Sequence, residues 1–457
     1  MSYRVVRPWR CRGMGFVAGL LLSLGGGASC IAAQASAPPL RAATVEAMLA
    51  APGQEIFTLR AALPRIDIPS LALLARARIA VARLDAAEAS QLVDRFLAGK
   101  PRSPRQRAIA WEIATDAAFA DGDYARAAKA AQQLQAALAA SGADAAKRAD
   151  AAQTAMMAIQ LAALPVQRLV AYQPHAEPVH KDKVGLPRAT ANIDGRAQEA
   201  VLDTGANLSV VSLSTARRLG LHLQQGGASV GSSSRDAVAV RLGLADTVRF
   251  AGLTLHNVAF LVLDDAQLAM PVPGGYRIDA ILGFPVLRAL QRFRITAAGR
   301  LEPSLSTPGP SDAGTENLLM AGNDMFVRAE VGGVPVAMHL DSGAASSALS
   351  AAFARRHADL LRGLSSRRAH VAGAGGAVER RTVIWPGAHV RVGDRETTLA
   401  GLDVELADGT GASPNVLGED VLGAFDWWSV DFGRMRLALG PPRAKTGHPA
   451  VVSTAAP

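Results

Sequence analysis

The chain has 457 residues, 49% of them apolar and 19% charged, so it has the length for roughly two to four cored domains and is not composed like a disordered protein. Its net charge of +9 would suit an anionic partner such as nucleic acid or a membrane surface. The arginines, however, are scattered through Ala- and Gly-rich sequence with no basic block interleaved with aromatics, so no nucleic-acid partner is expected.

Residues 1–35 read as a secretory signal peptide. Arg4, Arg7, Arg10 and Arg12 form a positive n-region, GMGFVAGLLLSLGGGAS is a short apolar core, and Ala33 to Ala35 offer a small-residue cleavage site. The apolar run is too short for a membrane-spanning helix. A periplasmic or secreted protein is therefore expected. Cys11 and Cys30 are the only cysteines, so a cleaved chain would carry no disulfide. Cys30 follows Gly-Ala-Ser as a lipid-attachment cysteine does, but Gly27 stands where a larger aliphatic residue belongs, which makes a lipid anchor the lesser expectation.

Residues 40–164 are alanine-rich with apolar spacing near three and four, which predicts an α-helical domain. AFADGDYARAAKAAQQL is similar to a tetratricopeptide-type junction, with Gly122 and Asp123 at the turn and Tyr124 and Ala127 packing. One junction does not make a solenoid, so a small helical domain is expected, with docking of a protein partner left open. Residues 165–185 hold three prolines and read as a linker. His175 and His180 lie there without a third ligand, so no metal is expected.

From residue 186 valine, glycine and short alternating runs predict all-β structure. The Pro-, Gly- and Ser-rich residues 305–317 divide it into residues 186–304 and residues 318–440, and residues 441–457 read as a disordered tail.

The two β regions repeat one another. VLDTGANLSVVS contains Asp203 and MHLDSGAASSALS contains Asp341, an offset of 341 − 203 = 138. At that offset Gly195 falls on Gly333, Ser209 on Ser347 and Ser212 on Ser350. Further on, DAILGFPVL pairs with PNVLGEDVL, where 418 − 283 = 135. Between these anchors each half carries a glycine-bearing turn, VGSSSRDAV at Val230 to Val238 and VAGAGGAV at Val371 to Val378. An aspartate at the end of a buried strand has to be partnered or chemically employed, because an isolated buried charge is costly.

Asp-Thr/Ser-Gly-Ala after an apolar strand, a glycine-rich hairpin, and an aliphatic-aliphatic-Gly turn before a short helix resemble the retropepsin-like aspartic proteases, over about Leu186 to Leu439. The resemblance implies a multidomain fold, with an N-terminal α-helical region followed by an all-β pseudo-dimer of two retropepsin-like lobes. It implies an aspartic endopeptidase with Asp203 and Asp341 as catalytic dyad and an extended peptide as substrate, without a cofactor. Thr204 and Ser342 would brace one active-site loop against the other, and Gly205 and Gly343 would permit close backbone approach. The hairpin flaps would fall at Gly231 and Ser232 and at Gly373, Ala374 and Gly375. Gly283 and Gly418 would shape the turns beneath the two loops.

Retropepsins usually assemble from two identical chains. The economical expectation is a monomer whose lobes pair internally, with pairing between two molecules as the alternative. A catalytically inert peptide-binding protein on the same fold is the alternative function. GASVG at residues 227–231 matches a serine-hydrolase elbow by letter, but hairpin-like sequence follows it where that motif needs a helix.

Overall fold

The computed structural model describes residues 38–443 except 52, 54, 100–101, 226–227, 231–237, 271–273, 305–314, 374–375 and 408–412. The segment read as a signal peptide, both cysteines, most of the 305–317 connection and the tail from residue 444 lie outside the described residues. Residues from Pro39 onward form one compact unit.

Seven helices come first: α1 Ala42–Leu49, α2 Ile56–Ala62, α3 Pro69–Ala82, α4 Ala86–Leu97, α5 Pro104–Asp121, α6 Tyr124–Ala140 and α7 Ala145–Ala162. Their boundaries are written locally. Asp85, Ser103, Asp123 and Asp144 cap α4 to α7, each accepting a hydrogen bond from the backbone N–H three residues on. Pro69 and Pro104 begin α3 and α5, where no N–H is needed. Gly122, at φ +74°, ends α5 in the left-handed region and turns the chain into α6.

The helices do not stand apart from the β region. Leu71, Leu74, Phe96 and Ile113 share one buried cluster with Leu319, Phe326 and Ala337 of the second half. Met157 and Leu161 of α7 join Val201, Val210, Val238 and Ile281 of the first half. Glu316 accepts Arg60 and, at 3.1 Å, Arg83, while Arg356 pairs with Glu55 at 2.9 Å.

Residues 165–185, expected as a linker, are instead stitched into the sheets. Arg168–Tyr172 runs antiparallel to the start of Leu253–Leu263, Glu177–Pro178 pairs with Arg300 and Leu301, and His180–Lys181 pairs with Pro187 and Arg188. Prolines exclude a strand from a sheet interior but are tolerated at its edges, and these pairings are short or marginal. His175 and His180 each meet one carboxylate, Glu177 at 2.8 Å and Glu199 at 3.3 Å.

Each half then builds the same small sheet. In the first, Arg196–Leu202 runs parallel to Ala280–Leu282, which in turn is antiparallel to Ser209–Ser212. In the second, Val334–Leu340 runs parallel to Val416–Leu417, which is antiparallel to Ala348–Leu349. Both begin with a two-residue hairpin at positive φ, Asp194-Gly195 and Gly332-Gly333. The helices Leu213–Leu219 and Ala351–Arg356 follow, capped by Ser212 and Ser350.

The halves are joined as lobes of one structure. Arg292–Thr296 of the first pairs antiparallel with Trp427–Asp431 of the second, at the centre of a five-stranded sheet that also contains Glu177–Pro178, Arg300–Pro303 and Arg436–Leu439. Phe293 meets Trp428 edge-on at 5.7 Å, and Phe284 meets Phe432 at 5.8 Å.

Candidate active site

Asp203 leaves the end of Arg196–Leu202 and Asp341 the end of Val334–Leu340. Their backbone N–H groups donate to Leu282 and Leu417 carbonyls, both at 3.1 Å, so each aspartate is fixed to the third strand of its lobe. The interlobe sheet brings the two loops face to face. Gly205 lies directly against the Asp341 carboxyl and Gly343 against that of Asp203, and both carboxyls are half-buried.

The loops hold each other through reciprocal hydroxyl bonds. Thr204 Oγ1 donates to the Leu340 carbonyl at 2.9 Å and accepts from the Ser342 N–H at 3.0 Å. Ser342 Oγ donates to the Leu202 carbonyl at 2.8 Å and accepts from the Thr204 N–H at 3.0 Å. Both hydroxyls are buried, so each bond satisfies a backbone group that water cannot reach.

Glycine is required beside each aspartate for space. A Cβ at Gly205 would fall 2.8 Å from Cγ of Asp341, and one at Gly343 would collide more closely still with Asp203. Gly205 and Ala206 donate N–H groups to Asp203 Oδ1 at 2.8 and 3.1 Å, and Gly343 donates to Asp341 Oδ1 at 2.9 Å. Gly283 and Gly418 lie beneath the loops, donate their N–H groups to the Ser209 and Ser347 hydroxyls at 3.2 and 2.9 Å, and have no room for a side chain against the loop carbonyls.

Burial, and then the neighbouring Asp341 carboxylate, pushes Asp203 above the usual carboxylate range. Burial also raises Asp341, against the pull of the Gly343 N–H, Asp203 and the Ala344 N–H. Two carboxyls so placed titrate as one unit that holds a shared proton into mildly acidic and neutral pH. Such a pair can present an acid and a base to one small molecule between them.

Of the residues expected at the hairpin tips, Gly231, Ser232, Ala374 and Gly375 lie outside the described residues. Gly373 pairs with Gly376 where Ser366–Gly373 meets Gly376–Val392. On the first lobe Ala228–Val230 pairs with Val238–Val240, and α7 packs against it.

Several residues near the dyad escaped the motif-based reading. His339, two residues before Asp341, is 8% exposed and touches Phe326 ring to ring at 5.8 Å. Asp324 accepts from Asn207 Nδ2 at 3.4 Å. Glu419, just after Gly418, is buried against Lys181, and burial pushes it up to about 7 despite that partner. A position-by-position comparison at the 138 and 135 offsets exposes them, since His339 faces Val201 and Glu419 faces Phe284 in the other half.

Residues 189–286 match the model described as "Aspartyl protease", and residues 327–424 match the one described as "gag-polyprotein putative aspartyl protease". Among solved structures the chain is similar to a retropepsin-like aspartic protease from Rickettsia conorii, at 17% identity and a TM-score of 0.21, over 29% of this chain and 94% of that one. No curated protein matches it. Each lobe thus matches one aspartyl protease domain, and the chain carries two such domains in tandem.

Proposed function

We propose that the chain is an aspartic endopeptidase whose catalytic dyad is Asp203 and Asp341. The observation that carries this is the pair of aspartate loops locked together by the crossed Thr204 and Ser342 hydroxyls, which sets each loop glycine against the opposite carboxyl. The ionised member takes a proton from a water between them as its oxygen bonds to the scissile carbonyl carbon. The protonated member donates to the carbonyl oxygen. The C–N bond then breaks, the amine leaves with a proton from the dyad, and one water is consumed per bond. The dyad is half-buried and not sealed, which suits an extended, unstructured peptide as substrate.

The arginine-led segment at residues 1–35 supports an exported destination, which N-terminal sequencing of the mature chain checks. The catalytic reading is tested by incubating the purified chain with denatured protein from pH 3 to 8 beside Asp341→Asn. Fragments that accumulate with time only for the unaltered chain are the expected result. Equal hydrolysis by both chains removes the dyad from the mechanism.

A further inference from the structure

The two lobes match at the dyad and part company immediately beside it. At the 138 offset, His339, Asp324 and Asn207 of one flank correspond to Val201, Leu186 and Ala345 of the other. The second set is apolar, and its Leu186 and Val201 are already buried in the cluster that contains Met157 and Leu161 of α7. The first set is polar and straddles the lobe seam. Asn207 is on the first catalytic loop, while Asp324 and His339 belong to the second lobe and have Phe326 between them in sequence.

This flank is built and left unfinished. His339 Nε2 is buried, has no hydrogen-bond partner among the described residues, and sits 4.0 Å from Asp324 Oδ1, beyond bonding distance. Asp324 keeps 42% of its side chain open, and its contact with Asn207 is long at 3.4 Å. The cluster lies close to the dyad, because Asn207 is on the loop of Asp203 and reaches Asp324, and His339 is two residues before Asp341 on the strand that delivers it. A substrate laid across the dyad would cover the Asp324 carboxylate, and covering it without a counter-charge is unfavourable.

We propose that Asp324, His339 and Asn207 form a subsite for a cationic side chain, lysine or arginine, next to the scissile bond of the peptide. On the opposite flank Leu186 and Val201 stand at those positions, packed with Met157 and Leu161 of α7. The cleft is thereby directional, since a peptide reversed end for end places its cation against Val201 and Leu186. This rests on the dyad reading for its function, but the subsite can be measured without turnover.

The test uses the full chain and peptides with a reduced, uncleavable bond, carrying lysine or norleucine on either side of it. Binding is followed by fluorescence anisotropy for the unaltered chain, Asp324→Leu and Asp324→Asn, with thermal melts to verify folding. Cleavage of the ordinary-amide versions is followed in parallel. Lysine on one side is expected to tighten binding by about tenfold over norleucine, and both variants to abolish that ratio. Asp324→Asn keeps the shape of the side chain, so it answers even if Asp324→Leu unfolds. Equal binding of the two peptides, an unchanged ratio in a folded variant, or no binding at all overturns the subsite. Selective binding without cleavage keeps the subsite and overturns the endopeptidase.

Discussion

The first and second lobes share a backbone frame to the level of single hydrogen bonds. Ser212 and Ser350 cap equivalent helices, each accepting a backbone N–H at 3.2 Å, and Phe284 and Glu419 donate N–H to Ala206 and Ala344 carbonyls at 2.8 and 2.9 Å. Around that frame the second lobe is more polar. Asp420 accepts from the Ser347 N–H and hydroxyl at 2.9 and 2.6 Å, and Asn415 accepts from the Ser350 N–H at 2.9 Å. The first lobe has Pro285 and Ala280 at those places. Duplication has therefore kept what locks the two aspartate loops together and let the supporting material diverge.

Breaking the symmetry at the dyad should have the largest effect. Asp203→Asn and Asp341→Asn should each lower peptide cleavage about a thousandfold or more with little change in melting temperature, because acid and base roles need both members. Gel-resolved fragment yield measures it, and strong activity in only one variant would show that the lobes are not equivalent.

Adding a methyl group sharpens the comparison further. Gly343→Ala should cost about 1–3 kcal/mol by overpacking against Asp203, and Gly205→Ala somewhat less, as read by urea denaturation. Ser342→Ala leaves the buried Leu202 carbonyl and Thr204 N–H without their partner and should cost about 1–3 kcal/mol, with Thr204→Ala similar.

The smallest effect distinguishes Glu419 from its counterpart Phe284. Its carboxyl rises from 4.5 to about 7 on folding because burial outweighs Lys181. Between those values the folded chain holds a proton that the unfolded chain has released, so stability falls as pH rises through that window. Glu419→Gln should flatten the fall in a series of melts from pH 4.5 to 7, leaving the remaining slope to the dyad and Asp116, which shift the same way.

Much of this architecture could be read from the letters because it is written locally and twice. Caps, hairpin glycines and Leu-Asp strand ends recur at a constant offset, and that offset located both loops. The segment read as a linker was missed for a physical reason. Edge strands such as Arg168–Tyr172 are stabilised by the strand beside them, Leu253–Leu263, rather than by their own pattern. The polar flank was missed because its contacts link distant positions, 117 residues apart for Asn207 and Asp324 and 238 for Lys181 and Glu419. The packing of helices on both lobes was equally silent, since alanine-rich amphipathic sequence specifies an apolar face but not what covers it.

The sheet in which Arg292–Thr296 meets Trp427–Asp431 turns assembly of the site into an intramolecular event. A two-chain version loses its paired loops on dilution, whereas here the tether supplies a fixed local concentration. Pairing of the two loops is then the same in a crowded compartment and in a dilute one, and its lifetime is limited by unfolding and not by dissociation.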